Sequence, residues 1–519
     1  MHSTLYARIQ SLANAHPDQS ERPAIIEPQR QVSFKQLFEQ SGRLAAHFKH
    51  QGMQAGDRLA LWLPNGIEWV QCFLACAHIG VTVLSVNTRF RSHEVQDVIE
   101  RGRANWLVYW PDFKGIAFDD ILQDVPSSVL DQLRGQFTRD DIAAFLSKPI
   151  DAVPVHEDHG VLTFTTSGTT ALPKFVLHTQ SGLLRHSEAI ANAFTYDNKT
   201  CVLASAPFCG AFGFATLSGA LFNGHTLVCE AVSDADTMRH LIRTYAVTHT
   251  YANNALILQI LRARGQREDF KSCRLFGFAS FAPALSELFD EAAANGIPLT
   301  GLYGSSELQA LQAAQPVDPS LGDVSVLHKP GGRLVAEESR VRARDPESGH
   351  LMALGQSGEI EILTPSRMAG YMDQPEATHK AFTEDGYYRT GDLGWCISDQ
   401  QFVFEARMGD SLRLGGFLVN PAEIEHVVEE LPGIEACQVV VGHWQNKPVP
   451  VDFVVLSPGA AIVSDQWQAE CKRRLASFKA PVHFEVLSEF PTVQSANSVK
   501  IQKHRLREIA QTLLDTKTS

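Results

Sequence analysis

The sequence predicts an α/β protein built mainly from parallel sheets covered by helices. Strand and helix patterns alternate through most of the 519 residues, for example a strand over 200–205 and a helix over 236–246. This alternation is typical of parallel sheets, because each crossover between parallel strands needs a long connection, usually a helix. Short strand patterns at 358–362 and 402–405 indicate a smaller β-rich unit. Beyond Asp410, a compact unit of helices and strands follows.

Hydrophobic spacing predicts the elements near the N-terminus. Apolar side chains recur at helical spacing in residues 5–15 and 33–52, and residues 57–63 form a short apolar strand before a Pro-Asn-Gly turn. The most apolar stretch, residues 70–86, predicts a buried helix that runs into a strand. Polar residues and Gly80 interrupt this stretch, and it is too short to span a bilayer. We therefore expect no integral membrane segment.

The last unit repeats the alternation on a smaller scale. Helix patterns at both ends enclose two apolar strands, which indicates a compact α+β fold. The predicted elements are a helix over 421–431, strands over 436–442 and 450–456, and a helix over 465–477.

Composition narrows the class of protein. The net charge is −13, and Lys and Arg cluster only in the short run 500–507, so we expect no nucleic-acid partner. The nine cysteines are scattered without the spacing of zinc or redox sites, which favours reduced, buried thiols. The first fifteen residues lack the continuous apolar core of a secretory signal, so we expect a cytoplasmic protein.

A hydroxyl-rich run at 165–174, TTSGTTALPK, predicts a phosphate-binding loop that follows a strand at 160–164. Gly168 can bring backbone N–H groups to phosphate oxygens, and the Ser, Thr and Lys side chains add donors and charge. A P-loop is excluded, because Pro173 precedes the lysine and Phe175 follows it, where a P-loop needs Ser or Thr. Taken alone, the run also fits an ordinary Ser/Thr-rich turn without a ligand.

Two further motifs pair a glycine with a carboxylate. Residues 301–307 read GLYGSSE, and residues 388–395 read YRTGDLGW. Tyr303 offers a flat apolar face for a purine, and Glu307 is a hard oxygen ligand suited to magnesium. Asp392 offers two acceptor oxygens on a predicted tight turn. A structural turn remains the alternative for each motif taken alone.

Together these runs resemble the adenylate-forming superfamily, which includes acyl-CoA synthetases, aryl-CoA ligases, luciferases and peptide-synthetase adenylation domains. The resemblance extends from about residue 23 to residue 507, nearly the full chain. Two more runs carry it, ARMGDSLRLGGFLVNPAEIE at 406–425 and FPTVQSANSVKIQKHRLR at 490–507. The chain departs from the family pattern where glycine is usual, at Ala171, Phe175 and Val499.

The resemblance implies a nucleotide site made from three of these runs. Tyr303 and the adjacent Gly304 would meet adenine, Ser306 the α-phosphate, and Glu307 would hold Mg²⁺. The ribose hydroxyls would bind Asp392, and the ribose or a phosphate would contact Arg407. The residues expected at the remaining phosphates are Thr165, Thr166, Ser167, Gly168, Thr169, Thr170 and Lys174.

The resemblance also implies two domains, a large one over 1–409 made of stacked subdomains and a small mobile one over 410–519, hinged near Asp410. Lys500 would reach the reacting carboxylate during adenylation, and domain rotation would then bring Gly415 and Gly416 to the pantetheine arm. Lys503 competes with Lys500, because this segment is about three residues longer than the family spacing.

The GDSL sequence at 409–412 resembles the attachment site of a phosphopantetheine carrier, but it lies inside the hinge segment. A carrier domain would need Ser411 near the start of a helix in its middle, with a whole domain around it. We therefore expect the hinge and not a carrier.

The implied reaction has two steps: ATP and a carboxylic acid give acyl-AMP and pyrophosphate, and the thiol of CoA then displaces AMP. The expected cofactors and substrates are ATP, Mg²⁺, CoA and the acid. The assembly considered is a homodimer. Two alternatives stay open: a stand-alone enzyme that loads a carrier protein, and an inactive nucleotide-binding regulatory protein.

The run PFCGAFGF at 207–214 falls where family members have a gate to the acid pocket. Gly210 would open that gate, and Phe208, Phe212 and Phe214 would supply an apolar wall. The run has no acidic residue to pair with an amine, so we expect a fatty or aromatic acid. The alternative is that these rings only pack the core.

Overall fold

The computed structural model describes most of the chain. The described residues are 4–144, 159–166, 173–231, 234–279, 285–315, 331–345, 348–407, 412–415, 417–419, 421–445, 447–495 and 498–517. They form a thirteen-stranded sheet, a seven-stranded sheet, a three-stranded sheet and three two-stranded sheets.

The first 144 residues supply strands to both large sheets. The helices are α1 (Leu5–Ala13), α2 (Pro17–Ser20), α3 (Phe34–His50), α4 (Ile67–Ile79), α5 (Ser92–Arg101), α6 (Phe118–Gln123), α7 (Ser127–Leu130) and α8 (Arg139–Ala143). The strands are β1 (Pro23–Glu27), β2 (Arg30–Ser33), β3 (Arg58–Trp62), β4 (Thr82–Ser85), β5 (Trp106–Tyr109), β6 (Asp112–Phe113), β7 (Ile116–Ala117) and β8 (Gly135–Thr138).

The middle of the chain alternates strands and helices, as its sequence predicts. The strands are β9 (Gly160–Thr166), β10 (Lys174–Thr179), β11 (Cys201–Ala204), β12 (Thr226–Cys229), β13 (His249–Asn253), β14 (Leu275–Ala279), β15 (Leu299–Ser305) and β16 (Gln309–Ala314). The helices are α9 (Gln180–Ala193), α10 (Ala211–Leu221), α11 (Ala235–Tyr245), α12 (Asn254–Arg262) and α13 (Leu285–Asn295), with a 3₁₀ turn at Arg267–Phe270.

A β-rich segment and the small domain complete the fold. The β-rich segment has strands β17 (Gly331–Leu334), β18 (Arg340–Arg344), β19 (Gly358–Leu363), β20 (Gly370–Tyr371), β21 (Tyr388–Ser398) and β22 (Gln401–Arg407), with helix α14 (Pro375–Ala381). Beyond it lie β23 (Leu412–Leu414), β24 (Phe417–Val419), α15 (Pro421–Glu429), β25 (Ile434–Trp444), β26 (Lys447–Leu456), α16 (Ser464–Arg474), β27 (His483–Val486), β28 (Thr492–Ser495), β29 (Ser498–Ile501) and α17 (Lys503–Lys517).

The two large sheets share one hydrophobic layer of helices. The seven-stranded sheet has the order β20-β10-β9-β4-β3-β5-β8, and β4, β3, β5 and β8 run parallel with β9. Helices α4 and α10 join side chains of both sheets in a single buried cluster. Since both helices are covered by apolar neighbours on nearly every side, they are apolar all round rather than amphipathic.

The fold class predicted from the sequence is confirmed, with one difference in how the β-rich unit is attached. The thirteen-stranded order is β18-β19-β21-β22-β17-β16-β15-β14-β13-β11-β12-β1-β2. The parallel strands end at β15, and antiparallel β16 and β17 continue the hydrogen bonding directly into the β-rich strands. The β-rich unit is therefore an extension of the main sheet, which the spacing of strands in sequence did not reveal.

The small domain packs a three-stranded sheet, β25-β26-β27, against α15, α16 and α17. Each predicted element of this domain is present, although the β25–β26 hairpin extends past both predicted strands. The predicted boundary between the domains falls among residues outside those described. Within the described part of the chain, no helix has both the length and the apolarity to cross a membrane.

Candidate active site

The predicted phosphate loop connects two strands of a hairpin. β9 and β10 are antiparallel, and Lys174 pairs with Thr166 while Phe175 pairs with Thr165. Ser167, Gly168, Thr169 and Thr170 lie outside the described residues, as does the side chain of Thr166. Lys174 is therefore held at the start of β10, directly after the loop, where an ammonium group can face phosphate oxygens.

Glu307 lies in a small polar cluster with Lys174. The hydroxyl of Tyr371 donates to Glu307 Oε1 at 3.0 Å, and the Lys174 ammonium lies 4.3 Å from the centre of the Tyr371 ring. Burial lowers the pKa of Lys174, and the charge of Glu307 opposes that shift. A half-buried carboxylate beside the lysine predicted to bind phosphate is a hard oxygen ligand that could hold Mg²⁺. The magnesium expectation therefore agrees with the chemistry of these residues.

His178, which no sequence motif identified, holds the backbone next to Glu307 in place. It lies on β10, an even number of positions from Lys174, and its Nε2 donates to the carbonyl of Ser306 at 2.7 Å. Complete burial lowers its pKa to about 4, so the ring is neutral and Nε2 carries the proton. Strand β10 thus fixes Lys174 directly and the Ser306–Glu307 backbone through His178.

Tyr303 and Asp392, which the resemblance assigns to the adenine and the ribose of one nucleotide, are in direct contact. The Tyr303 hydroxyl donates to Asp392 Oδ2 at 2.7 Å, and both side chains are buried. The Tyr303 ring packs edge-on against Phe402 with 4.9 Å between ring centres. Asp392 also pairs in register with Arg407, whose side chain lies outside the described part of the chain. Strands β15, β21 and β22 thus bring the predicted adenine, ribose and arginine positions together.

The predicted tight turn at Asp392 is wrong, because this residue lies inside β21. Gly391 takes the left-handed conformation, with φ of +68°, and its N–H donates to Glu359 Oε1 at 3.2 Å. The strand pairing shifts register beside this glycine. An irregular strand, rather than a turn, therefore aims the carboxylate.

Gly304 is required by the close approach of β15 and β16. An added Cβ would lie 2.6 Å from Ala310 Cα and 2.8 Å from the Gln309 carbonyl oxygen. Gln309 and Leu311 both have positive φ, of 66° and 61°, which is costly for residues other than glycine. This strained hairpin holds Ser306 and Glu307 at its tip.

The run at 207–214, predicted to form the gate to the acid pocket, contains buried phenylalanine rings and one glycine with open space around it. Phe208 and Phe214 are fully buried against Trp69, which favours the packing alternative for both rings. Phe212 is only partly buried. A Cβ added at Gly210 would have as its nearest neighbour only the Pro207 carbonyl oxygen, at 3.7 Å. Gly210 thus has room for a side chain.

The small domain places its glycine turn beside the large domain. Gly415 has φ of +57°, and a Cβ there would lie 2.7 Å from Phe478 Cβ and 3.6 Å from Arg89 Nη1. The backbone of Thr88, next to Arg89, hydrogen-bonds Cys209, next to Gly210, and burial raises the pKa of that thiol to about 12. The turn therefore lies on the acid-gate side of the large domain. Gly416 and Asp410 are outside the described residues.

The two candidate lysines of the last segment differ in their surroundings. Lys500 pairs with Val493 in the hairpin of β28 and β29, and its side chain lies outside the described part. Lys503 begins α17, and its Nζ lies 3.3 Å from Glu425 Oε1. An ammonium group already paired inside the small domain is poorly suited to reach a substrate, which favours Lys500.

Comparisons with known proteins cover nearly the whole chain. A family model described as "AMP-binding enzyme" matches residues 12–372, and one described as "AMP-binding enzyme C-terminal domain" matches residues 423–497. A methyl-dioxo-octahydroindenyl-propanoyl:CoA ligase of Rhodococcus jostii (strain RHA1) is 29% identical over 96% of this chain and 98% of its own. A 2-succinylbenzoate–CoA ligase of Geobacillus sp. (strain WCH70) is 26% identical over 94% of this chain and 95% of its own.

Among solved structures, a variant of the o-succinylbenzoate–CoA synthetase of Bacillus subtilis, bound to a product analogue, has the same fold. Its TM-score is 0.83 at 23% identity, and the match covers 96% of this chain and 98% of that one. The family expected from the motifs is thereby confirmed, and the two family models account for well over half of the residues. The chain belongs to the family of AMP-binding enzymes and carries that family's C-terminal domain.

Proposed function

We propose that this enzyme is an ATP-dependent acid:CoA ligase, which adenylates a carboxylic acid and then transfers the acyl group to CoA. The observation that carries the proposal is the meeting of four polar or charged groups from three distant segments of the chain. The Tyr303–Asp392 pair and the Lys174–Glu307 cluster both lie around β15, from separate parts of the chain. Two of its relatives, the Rhodococcus jostii and Geobacillus enzymes named above, are CoA ligases of ring-bearing acids.

For adenylation, each residue binds a different part of the nucleotide. Asp392 offers a carboxylate to the ribose hydroxyls, and Tyr303 orients that carboxylate through its hydroxyl. Lys174 and the hydroxyls of the phosphate loop bind the β- and γ-phosphates, and donors fixed in advance stabilise the charge that develops there. Glu307 would hold Mg²⁺, which supplies further positive charge to the phosphates. Lys500 donates to the carboxylate and α-phosphate oxygens.

For thioester formation, the glycine turn at Gly415 provides the path for the thiol. The turn lies beside Arg89 and Phe478, next to the loop that contains Gly210. A glycine at this point leaves the backbone accessible to a narrow pantetheine arm. Docking of the small domain also excludes water, which would otherwise hydrolyse acyl-AMP.

The acid is proposed to carry an apolar body, either fatty or aromatic. Gly210 leaves space at the gate, and the residues around it are apolar. The run 207–214 contains no carboxylate that could pair with an α-ammonium group, and burying an unpaired charge there would be costly. A role in fatty-acid metabolism, a cytoplasmic location and a homodimer remain predictions from the sequence.

A panel of acids, assayed for pyrophosphate and acyl-CoA with and without CoA, tests the proposal. We expect pyrophosphate release that depends on the acid, and acyl-CoA when CoA is present. Pyrophosphate without acyl-CoA would favour a carrier protein as the acceptor. Absence of pyrophosphate with every acid would favour an inactive nucleotide-binding protein.

A further inference from the structure

A buried lysine lies at the contact between the two domains. Lys479 is 6% exposed, and its Nζ lies 2.8 Å from Glu423 Oε2 in the small domain and 3.1 Å from Glu94 Oε1 in the large domain. The ring of Phe90 lies 5.2 Å from the same ammonium. Burial alone would lower the pKa of Lys479, but the two carboxylates outweigh burial and raise it above its usual range.

We propose that Lys479 is a positioning residue for thioester formation, which holds the small domain against helix α5 through its ion pair with Glu94. This inference rests on the proposed function. Lys479 follows Phe478, the residue in contact with the Gly415 turn. The same short segment therefore carries both the interdomain ion pair and the support for the turn that faces the acid gate.

The Glu94 pair crosses between domains, whereas the Glu423 pair lies within one. Glu423 is on α15 and travels with Lys479 in any rotation of the small domain. Glu94 is the third residue of α5, and its Oε2 accepts from the Arg91 N–H at 2.9 Å as a helix cap. Each carboxylate thus keeps a partner when the domains separate. The ion pair can open without leaving an isolated buried charge, which makes it suited to a reversible contact.

Helix α5 is a firm support for this contact because its other end is fixed to the phosphate loop. The Arg101 guanidinium donates to the Pro173 carbonyl at 2.6 Å and pairs with Asp97 at 2.8 Å. Arg101 also lies over the ring of Phe175, on β10. The small domain therefore docks on a helix that is itself anchored beside the nucleotide site.

Glu94→Gln in the full-length enzyme separates this role from folding. Glutamine keeps the length of the side chain and an oxygen for the Arg91 cap, and it removes only the charge. Two half-reactions are measured: ATP–pyrophosphate exchange with acid in the absence of CoA, and conversion of supplied acyl-AMP to acyl-CoA. We expect thiolysis to fall by ~10- to 100-fold, less than for a buried charge left with no partner, because Lys479 keeps its pair with Glu423, with exchange unchanged or faster.

Asp124→Asn is the matched control. Asp124 pairs with Arg473 across the same interface at 3.0 Å, but both side chains are about half exposed. An exposed pair contributes little, so both half-reactions should stay near wild type. An equal loss of both half-reactions in Glu94→Gln, or no loss in either, would overturn the positioning role.

A distance measurement tests the contact without activity. Spin labels at the exposed positions Gln132→Cys and Glu435→Cys report the separation of the two domains. The inference predicts a broader distance distribution in Glu94→Gln than in the parent enzyme, and identical distributions would refute it. A parent enzyme that fails to convert acyl-AMP would refute the proposed function instead, while this distance comparison still decides the role of Lys479.

Discussion

Removing a single hydroxyl, in Tyr371→Phe, tests whether Glu307 must be held in place for adenylation. The Tyr371 hydroxyl donates to Glu307 Oε1 at 3.0 Å, and its ring lies 4.3 Å from the Lys174 ammonium. Phenylalanine keeps the ring and therefore the contact with Lys174. The hydrogen bond that orients the carboxylate is lost.

The size of the effect follows from the charge and exposure of the pair. A hydrogen bond to a charged group contributes ~1.5–3 kcal/mol, or roughly 10- to 100-fold in rate. Because the Tyr371–Glu307 bond is only partly buried, we expect the lower part of this range, about 10-fold in kcat/KM for MgATP. Glu307→Gln should cost ~10²-fold or more and raise the magnesium requirement, because it removes the charge itself.

The assay is pyrophosphate release with a saturating acid and varied MgATP. The double variant that combines Tyr371→Phe with Glu307→Gln should be no slower than Glu307→Gln alone, because the hydroxyl acts only through the carboxylate. Tyr109→Phe is the control: its hydroxyl donates to Asp119 at 2.8 Å on an exposed surface, so its loss should leave the rate unchanged. Multiplying losses in the double variant, or an inactive Tyr109→Phe, would refute the reasoning.

Three further predictions concern the last segment, the acid gate and acid stability. Lys500→Ala should abolish acyl-AMP formation yet spare thiolysis of supplied acyl-AMP. Lys503→Ala should change the rate of acyl-AMP formation little. A larger loss of acyl-AMP formation in Lys503→Ala than in Lys500→Ala would assign the catalytic role to Lys503 instead. Gly210→Phe should lower kcat/KM for long or bulky acids by ~10- to 200-fold and spare short ones, whereas uniform loss on an acid panel would assign Gly210 to the fold. The urea midpoint should decrease as pH falls from 6.5 toward 4, because the buried histidines are protonated in the unfolded chain but stay neutral in the folded chain over this range. A midpoint that is constant over this window would contradict the reasoning. Burial lowers the pKa to about 4 for His78, His178, His186, His225 and His249.

The chemistry of the candidate site could be predicted from the sequence because its groups lie in short, contiguous runs. The phosphate loop, the Tyr303–Glu307 run and the Gly391–Asp392 pair each combine residue types whose chemistry is local. The alternation of strands and helices is also local, since periodicity depends on neighbouring residues. These features determined the α/β fold and the family before any contact was known.

Contacts between distant residues were decided only by the tertiary structure. His178 reaches the Ser306 carbonyl, and Tyr371 reaches Glu307, across 128 and 64 residues of chain. The buried charges of Glu94 and Lys479 likewise look like ordinary surface charges in the sequence. Burial and pairing are set by packing of remote elements, and a pattern within one run cannot report which remote element covers it. The sequence by itself predicts which groups perform the chemistry, and the tertiary structure decided what holds them in place.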